Sequence, residues 1–332
     1  LIPGFFPPRT PIGRRSERWQ VAREPIGRAA GGYRGPASEG YFGRRFGPGP
    51  EYAERTDATL RATEPEERGA PSDRRGGDMP KTVLITGAGS GFGRGAAVQL
   101  AQRGHKVIAA VLNDQQTAEL AKAEPKLTVV KIDITDARDI AQVDAWDLDV
   151  FVANAAIGQT GPLSLIPLER LRAVFEVNVF GTFAITQRVA QAMRRKRAGR
   201  IIVVSSIGGV RAGVGSGPYT MTKHAIQAFG TALRQELRAF GVDVCLINPG
   251  PYATGFNDRM ANDPGPWFDR KSAAPEDVAV VDQLVQRITV GQMDPREVVK
   301  RYVELVEAET TELVNFVPPD IVERMSKSMP AR

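Results

Sequence analysis

Histidine and cysteine are nearly missing from this 332-residue chain: His105, His224 and the lone Cys245 are all there are. One cysteine excludes an intrachain disulfide and a cysteine-built metal site, and two histidines are too few for a histidine-rich one, so no metal is expected. Cys245 falls within the apolar run VDVCLIN, which predicts a packed core position. No apolar stretch approaches the roughly 18 residues of a spanning helix, so no membrane partner is expected. The opening LIPGFF is too short for a signal-peptide core. A cytoplasmic location is therefore the expectation.

Residues 1–78 lack lysine, methionine and cysteine and hold one valine, Val21. Arg, Gly, Pro and Glu crowd this stretch, and its apolar area is too small to offset the entropy of ordering. It reads as a disordered extension, or as upstream sequence joined to a chain starting at Met79. The texture of GGYRGP and YFGRRFGPGPEY resembles RNA-contacting segments. An Arg-rich transit peptide is a third reading, against which stand the acids Glu17, Glu24, Glu39, Glu51 and Glu54. Length alone suggests about two domains, but composition divides the chain into this tail and one α/β domain over 79–332. The net charge is +6, and about half of it comes from the tail, where 14 Arg face 11 acids. A pI near 9.5 therefore does not by itself point to a nucleic-acid partner. The compact basic run RRKR (194–197) reads as a solvated helix end.

After Met79 the pattern changes. Short β-branched runs occur at 82–86, 106–111, 127–133, 148–154, 200–206, 242–248 and 313–317. Between them, 93–104, 114–123, 167–197 and 218–240 carry apolar residues at helical spacing. Continuous apolar strands separated by helices predict a parallel sheet covered on both faces, a doubly wound fold.

Two features carry chemistry. The first is TGAGSGFG (86–93), which ends an apolar strand and opens a helix. Glycines there let the chain turn tightly and let a pyrophosphate approach the helix N-terminus, whose amides and dipole favour an anion. The second is Tyr219 and Lys223, four residues apart on one helix face. Alone, such a pair is common on helices. Ser206 gives it meaning: it ends the strand 200–206, thirteen residues before the tyrosine, where a parallel sheet opens its ligand crevice.

At these residues the chain resembles the short-chain dehydrogenase/reductase family, closely over about 80–255 and in general layout beyond. The resemblance implies one Rossmann domain with seven parallel strands in the order 3-2-1-4-5-6-7. It implies an NAD(P)-dependent oxidoreductase interconverting a ketone or aldehyde and an alcohol. In that role Tyr219 exchanges a proton with the substrate oxygen, and Ser206 hydrogen-bonds that oxygen. Lys223 binds the nicotinamide ribose and lowers the tyrosine pKa, and Asn178, in FEVNVFG, holds a water of the proton relay. A free phenol has a pKa of about 10. An ammonium at about 4 Å contributes about 4 kcal/mol at an effective dielectric of about 20. Lys223 is thus expected to bring Tyr219 toward neutrality.

The same resemblance assigns cofactor contacts to Gly87, Ser90, Gly91, Phe92 and Gly93, and to Asn113 after the second strand. It adds Asp133 with Ile134 after the third strand, where an N-cap role for Asp133 competes, and Asn154 with Ala155. Tyr219 and Lys223 belong to this set, as do Pro249, Gly250 and Thr254 of NPGPYAT. VANAA (152–156) departs from the family's NNAG, with Ala153 and Ala156 replacing Asn and Gly. The family's acid and basic positions for cofactor choice hold Val111 and Leu112, and Ser90 brings no charge to the glycine loop. NAD is favoured, while Arg94 and Asp114 leave NADP or a shifted ribose contact open. Residues 255–272 are expected to form a substrate lid whose Phe256, Met260, Trp267 and Phe268 suit a substrate with apolar bulk. The family pairs subunits through long helices, here 167–197 and 218–240, so a homodimer or homotetramer is expected. Rival readings are a 3-ketoacyl-carrier reductase, an extended-branch sugar-nucleotide enzyme and a non-catalytic dinucleotide sensor.

Overall fold

Strand burial follows the two-residue period of a β-strand. In β1 (Thr82–Thr86) Val83 and Ile85 join one core cluster and Leu84 the other. The same alternation holds in β2 (Lys106–Val111), β4 (Val150–Ala153), β5 (Gly199–Val204) and β6 (Val242–Pro249). Both faces must therefore be covered, which is why these runs are predominantly apolar. The computed structural model describes residues 79–323; the readings of 1–78 lie outside the described residues, as do 324–332.

With β3 (Thr128–Lys131) and β7 (Val314–Val317), the strands form one sheet in the order β3-β2-β1-β4-β5-β6-β7, every neighbouring pair parallel. This is the expected doubly wound order. One face is covered by α1 (Gly91–Gln102), through Ala96, Ala97 and Leu100, and by a helix over Arg296–Glu307, through Val298, Tyr302 and Leu305. The other face takes Ile185, Val189 and Met193 from a helix over Thr182–Lys196, and Ile226 and Leu237 from one over Gly217–Leu237. Cys245 lies in the first core, wholly buried, as its neighbours predict.

The remaining helices are α2 (Asp114–Ala123), α3 (Ala137–Ala141) and α4 (Leu168–Phe175); α5 and α6 are Thr182–Lys196 and Gly217–Leu237. They are followed by α7 (Phe256–Asn262), α8 (Pro275–Thr289) and α9 (Arg296–Glu307). The single helix expected over 167–197 is interrupted: a π-helical turn, Glu176–Gly181, separates α4 from α5. Asn178 sits in that turn, and such turns are often found at functional sites. RRKR closes α5, with Lys196 donating to Asp147 at 2.8 Å and the Arg194 guanidinium stacked 4.1 Å over the Phe240 ring. Among the described residues, no helix is long and apolar enough to cross a membrane.

Candidate active site

All the chemistry-bearing segments leave the sheet at the C-terminal ends of its strands, where strand order reverses between β1 and β4. Thr86 ties this point together. Its Oγ1 accepts from the amides of Asn154 (3.0 Å) and Ala155 (3.1 Å). The Asn154 amide nitrogen donates to the carbonyls of Thr86 (2.8 Å) and Gly87 (3.3 Å), and its Oδ1 accepts from the Tyr302 hydroxyl at 3.0 Å. Gly87 turns with φ +66°, and a Cβ there would lie 2.8 Å from the Ala155 Cα. On Gly93 a Cβ would lie 2.6 Å from both the Asn154 Nδ2 and the Gly87 carbonyl oxygen. Only glycine permits this approach of α1 to β4.

The first turn of α1 carries no acid, and Ser90 makes no side-chain cap. Its leading amides thus keep their affinity for an anion. They open into a cleft of about 1350 Å³. This exceeds the ordinary small-ligand range of about 300–1,000 Å³ and has room for a dinucleotide beside a second molecule.

Gly87, Ser90, Gly91 and Phe92 line one end of the cleft, with Asp133 and Ile134 from the exit of β3. Asp133 is not a helix cap. Its Oδ1 accepts from the Thr135 amide and hydroxyl, while Asp136 caps α3 by accepting from the Arg138 amide. Pro249, Gly250 and Thr254 line the cleft as well, and Thr254 packs close against Gly91. Gly93 lies beneath the surface of the cleft, where it sets the spacing between α1 and Asn154.

Asn113 departs from expectation. It does not line the cleft; it caps α2, with Oδ1 accepting from the Gln116 amide at 2.9 Å. Leu112 and Gln116 line the cleft at the end of β2 instead, and the Gln116 Oε1 accepts from the Leu112 amide at 3.0 Å. Arg94 lies 3.7 Å from Glu124 in an ion pair, which engages the cation held in reserve for a phosphate at this end.

At the other end, Ser206 terminates the path of β5 and α6 begins eleven residues later, at Gly217, with Pro218 in its first turn. Ser206, Tyr219 and Lys223 come together on one wall. The Ser206 Oγ accepts from the Gly208 amide at 3.0 Å, and its carbonyl accepts from the Asn248 Nδ2 at 3.1 Å. Lys223 is 4% exposed, and its ammonium donates to the Val204 carbonyl at 2.9 Å. Its Nζ stands 5.7 Å from the centre of the Tyr219 ring.

The electrostatics correct the sequence expectation. Burial pushes the Tyr219 phenol up to about 12, and the nearby Ser206 hydroxyl draws it back only in part. Burial pulls Lys223 down to about 8. The expected lowering assumed an ammonium at about 4 Å in a well-screened site. Here desolvation is the largest influence on both groups and favours the neutral form of each, although Tyr219 is only half-buried where it meets the cleft.

Asn178 lies under the cleft, 1% exposed, rather than on its surface. Its Oδ1 accepts from the Ile157 amide (2.9 Å), and its Nδ2 donates to the Ile157 carbonyl (2.9 Å) and the Thr222 hydroxyl (3.1 Å). Both amide hydrogens are thereby used within the protein, tying the exit of β4 to α6.

The segment 255–272 covers the cleft with only part of its apolar side. Phe256 and Met260 face inward, and Phe256 lies 5.8 Å from the Tyr219 ring. Trp267 and Phe268 pack away from the cleft, Trp267 against Gly161 and against Phe268 at 5.9 Å. The segment is pinned by Asp263, which accepts from the Gln159 side chain and the Thr160 amide and faces Arg170 at 3.5 Å. Sequence reasoning missed three cationic lining residues, Arg211, Arg259 and Arg287. They belong to one loop and to α7 and α8, none of which carries a motif, so only the folded chain brings them into one cleft.

A family model described as short chain dehydrogenase matches residues 81–265. Retinol dehydrogenase 8 of Bos taurus is 35% identical over 195 residues, covering 55% of this chain; the match spans 62% of that relative's length. A short-chain dehydrogenase structure from Streptomyces avermitilis shares 26% identity with a TM-score of 0.65, over 75% of this chain and 92% of the other. An actinorhodin polyketide ketoreductase solved with NADPH shares 26% identity with a TM-score of 0.59, over 72% of this chain and 95% of the other.

Proposed function

The chain belongs to the short-chain dehydrogenase family, and on that premise we propose that it is a nicotinamide-dinucleotide-dependent oxidoreductase interconverting a carbonyl and an alcohol. One observation carries the reading. A single cleft joins the uncapped start of α1 at one end to Ser206, Tyr219 and Lys223 at the other.

The residues fit a dinucleotide. The amides that open α1 suit a pyrophosphate, and the close approach at Gly87 and Gly93 leaves backbone rather than side chain facing it. Asp133 and Asn154 flank the adenosine end, and Thr254 and Pro249 the nicotinamide end. When bound, the reduced nicotinamide supplies a hydride to the carbonyl carbon. Tyr219 gives its phenolic proton to the carbonyl oxygen, which leaves as the alcohol, and recovers it from solvent. Ser206 donates a hydrogen bond to the same oxygen and fixes its position. Lys223 holds the ribose and offsets the charge left on Tyr219. Asn178 acts as a positioning residue, holding Ile157 and Thr222 at the back of the cleft.

A phenol with a pKa of about 12 is protonated at all ordinary pH. It is therefore a stocked acid for reduction, and oxidation demands a nearby cation. NAD is the favoured form. The support is the apolar Leu112 and neutral Gln116 at the end of β2, with Arg94 engaged by Glu124. A homodimer or homotetramer belongs to the same reading, supported by Leu168, Phe180 (58% exposed), Phe183 and Met221, which α4 to α6 leave open. A cytoplasmic location completes it.

The test is oxidation of NADH and NADPH over a ketone panel with wild type and Tyr219→Phe. The variant should lose at least ~100-fold in turnover while still binding the dinucleotide. Near-normal turnover in the variant would remove Tyr219 from the mechanism. Dinucleotide binding with no turnover in either protein would favour a sensor.

A further inference from the structure

We propose that the substrate of this cleft is an amphiphilic anion, an apolar carbonyl or alcohol compound carrying a carboxylate or phosphate, whose charge is received by Arg211 with Arg259 and Arg287. This rests on the oxidoreductase reading above and adds the substrate class to it.

The cleft's lining is unbalanced. Among the described residues it contains Arg211, Arg259, Arg287 and Lys223 and a single acid, Asp133. Asp133 follows β3, four strands away from β5 in the sheet order. At about 4.8 Å per strand that is roughly 19 Å. The substrate end thus carries cations without a lining carboxylate to neutralise them. A cleft of one sign with low-dielectric walls concentrates ligands of the other sign.

Arg211 gives the strongest indication. It follows the short turn after Ser206, with its amide donating to the Ile207 carbonyl at 3.1 Å. Its Nη1 is buried and has no hydrogen-bond partner among the described residues. A buried guanidinium N–H left unpaired is costly, and native proteins rarely leave one without an acceptor. The rest of Arg211 is half-buried, so the unpaired nitrogen sits where the side chain meets the cleft. A ligand oxygen supplies what the protein does not.

Arg287 reinforces the site from α8. Its Nη2 donates to the Val214 carbonyl (2.7 Å) and the Ser216 hydroxyl (3.2 Å), holding the loop that carries Arg211. Its Nη1 lies 2.5 Å from where a Gly213 Cβ would be, so the guanidinium rests flat on that glycine. Arg259, exposed on α7, adds a third charge at the rim. The same cleft is lined by the apolar Ile157, Phe256, Met260 and Ile288, with the Phe256 ring 5.8 Å from that of Tyr219. A ligand matching it has a greasy body beside the reacting carbon and a negative group at the Arg211 end. Guanidinium forks suit the planar oxygens of carboxylate and phosphate alike.

The experiment uses the full chain with saturating NADH or NADPH, whichever binds. Calorimetry measures affinity for a medium-chain oxo-carboxylate, its methyl ester and the corresponding oxo-alkyl phosphate. Turnover of the three is followed in parallel. Either anion should bind about tenfold or more tighter than the ester, the usual range for a charge-assisted hydrogen bond. The better of the two anions identifies the group the site takes. In Arg211→Gln the anion-to-ester ratio should fall about tenfold, and in Arg259→Gln by less. Equal affinity for ester and both anions, or a ratio unchanged in Arg211→Gln, overturns the proposal. Because binding is read directly, anion selectivity without Tyr219-dependent turnover would leave this site standing and defeat the oxidoreductase reading instead.

Discussion

Replacing Lys223 by methionine should stabilise the protein at neutral pH while abolishing its proposed activity. In the unfolded chain this lysine holds its proton up to about 10.5; in the folded chain burial brings release down to about 8. Between those values unfolding takes up a proton, so the lysine's contribution to stability rises with pH across that window. Below about 8 the folded state carries the whole cost of the buried charge, ~3 kcal/mol for a displacement of that size. Methionine has similar reach and no charge. It forfeits the 2.9 Å charge-assisted bond to the Val204 carbonyl, a loss of ~1.5 kcal/mol. The net gain at pH 7 is therefore about 1.5 kcal/mol, or roughly 3–6 °C in Tm for a domain of this size. Between pH 7 and pH 9 the wild type recovers about 1 kcal/mol of that difference, because the lysine begins to discharge. Every other titrating group is common to both proteins and cancels. Urea unfolding of wild type and Lys223→Met at the two pH values, with NADH titration alongside, measures each quantity. A variant less stable at pH 7, or a difference that does not change with pH, would refute the reasoning. A gain in stability with lost activity is the expected signature of a strained functional group.

Other outcomes follow from the same geometry. Leu112→Arg should raise affinity for NADPH about tenfold, by giving the end of β2 a cation that Arg94, held by Glu124, does not supply; fluorescence titration of both dinucleotides checks it. Gly93→Ala should cost ~1–3 kcal/mol, since its Cβ would overlap the Asn154 Nδ2 and the Gly87 oxygen; its urea midpoint and its dinucleotide affinity should fall together. Asp263→Ala should free the segment 255–272 from Gln159, Thr160 and Arg170. Lost hydrogen bonds worth ~2 kcal/mol should speed tryptic cleavage at Arg259 and Arg270 by roughly 30-fold.

Much of the site was legible in the chain because it is local. TGAGSGFG lies within eleven residues of the first strand, and Tyr219 and Lys223 share one helical turn. Asn113 misled because its position after β2 is right while its side chain is occupied in capping α2. Neither neighbour alone distinguishes a helix cap from a ribose ligand. Trp267 and Phe268 misled for a related reason: composition marks a segment as apolar without saying which side chains turn inward. The direction of the Tyr219 pKa was misjudged because spacing gives the neighbour of a phenol but not its hydration.

The sequence by itself determined the doubly wound sheet, its strand order through the family pattern, the glycine turn, and the serine, tyrosine and lysine that face each other. Short-range spacing and strand periodicity encode all of these. Only the tertiary structure decided that Lys223 is buried beside a half-buried Tyr219, that Asn178 is spent on Ile157, and that three arginines from separate segments line the same cleft. Burial and convergence are properties of distant chain segments meeting, and no local pattern of residues records where such segments will pack.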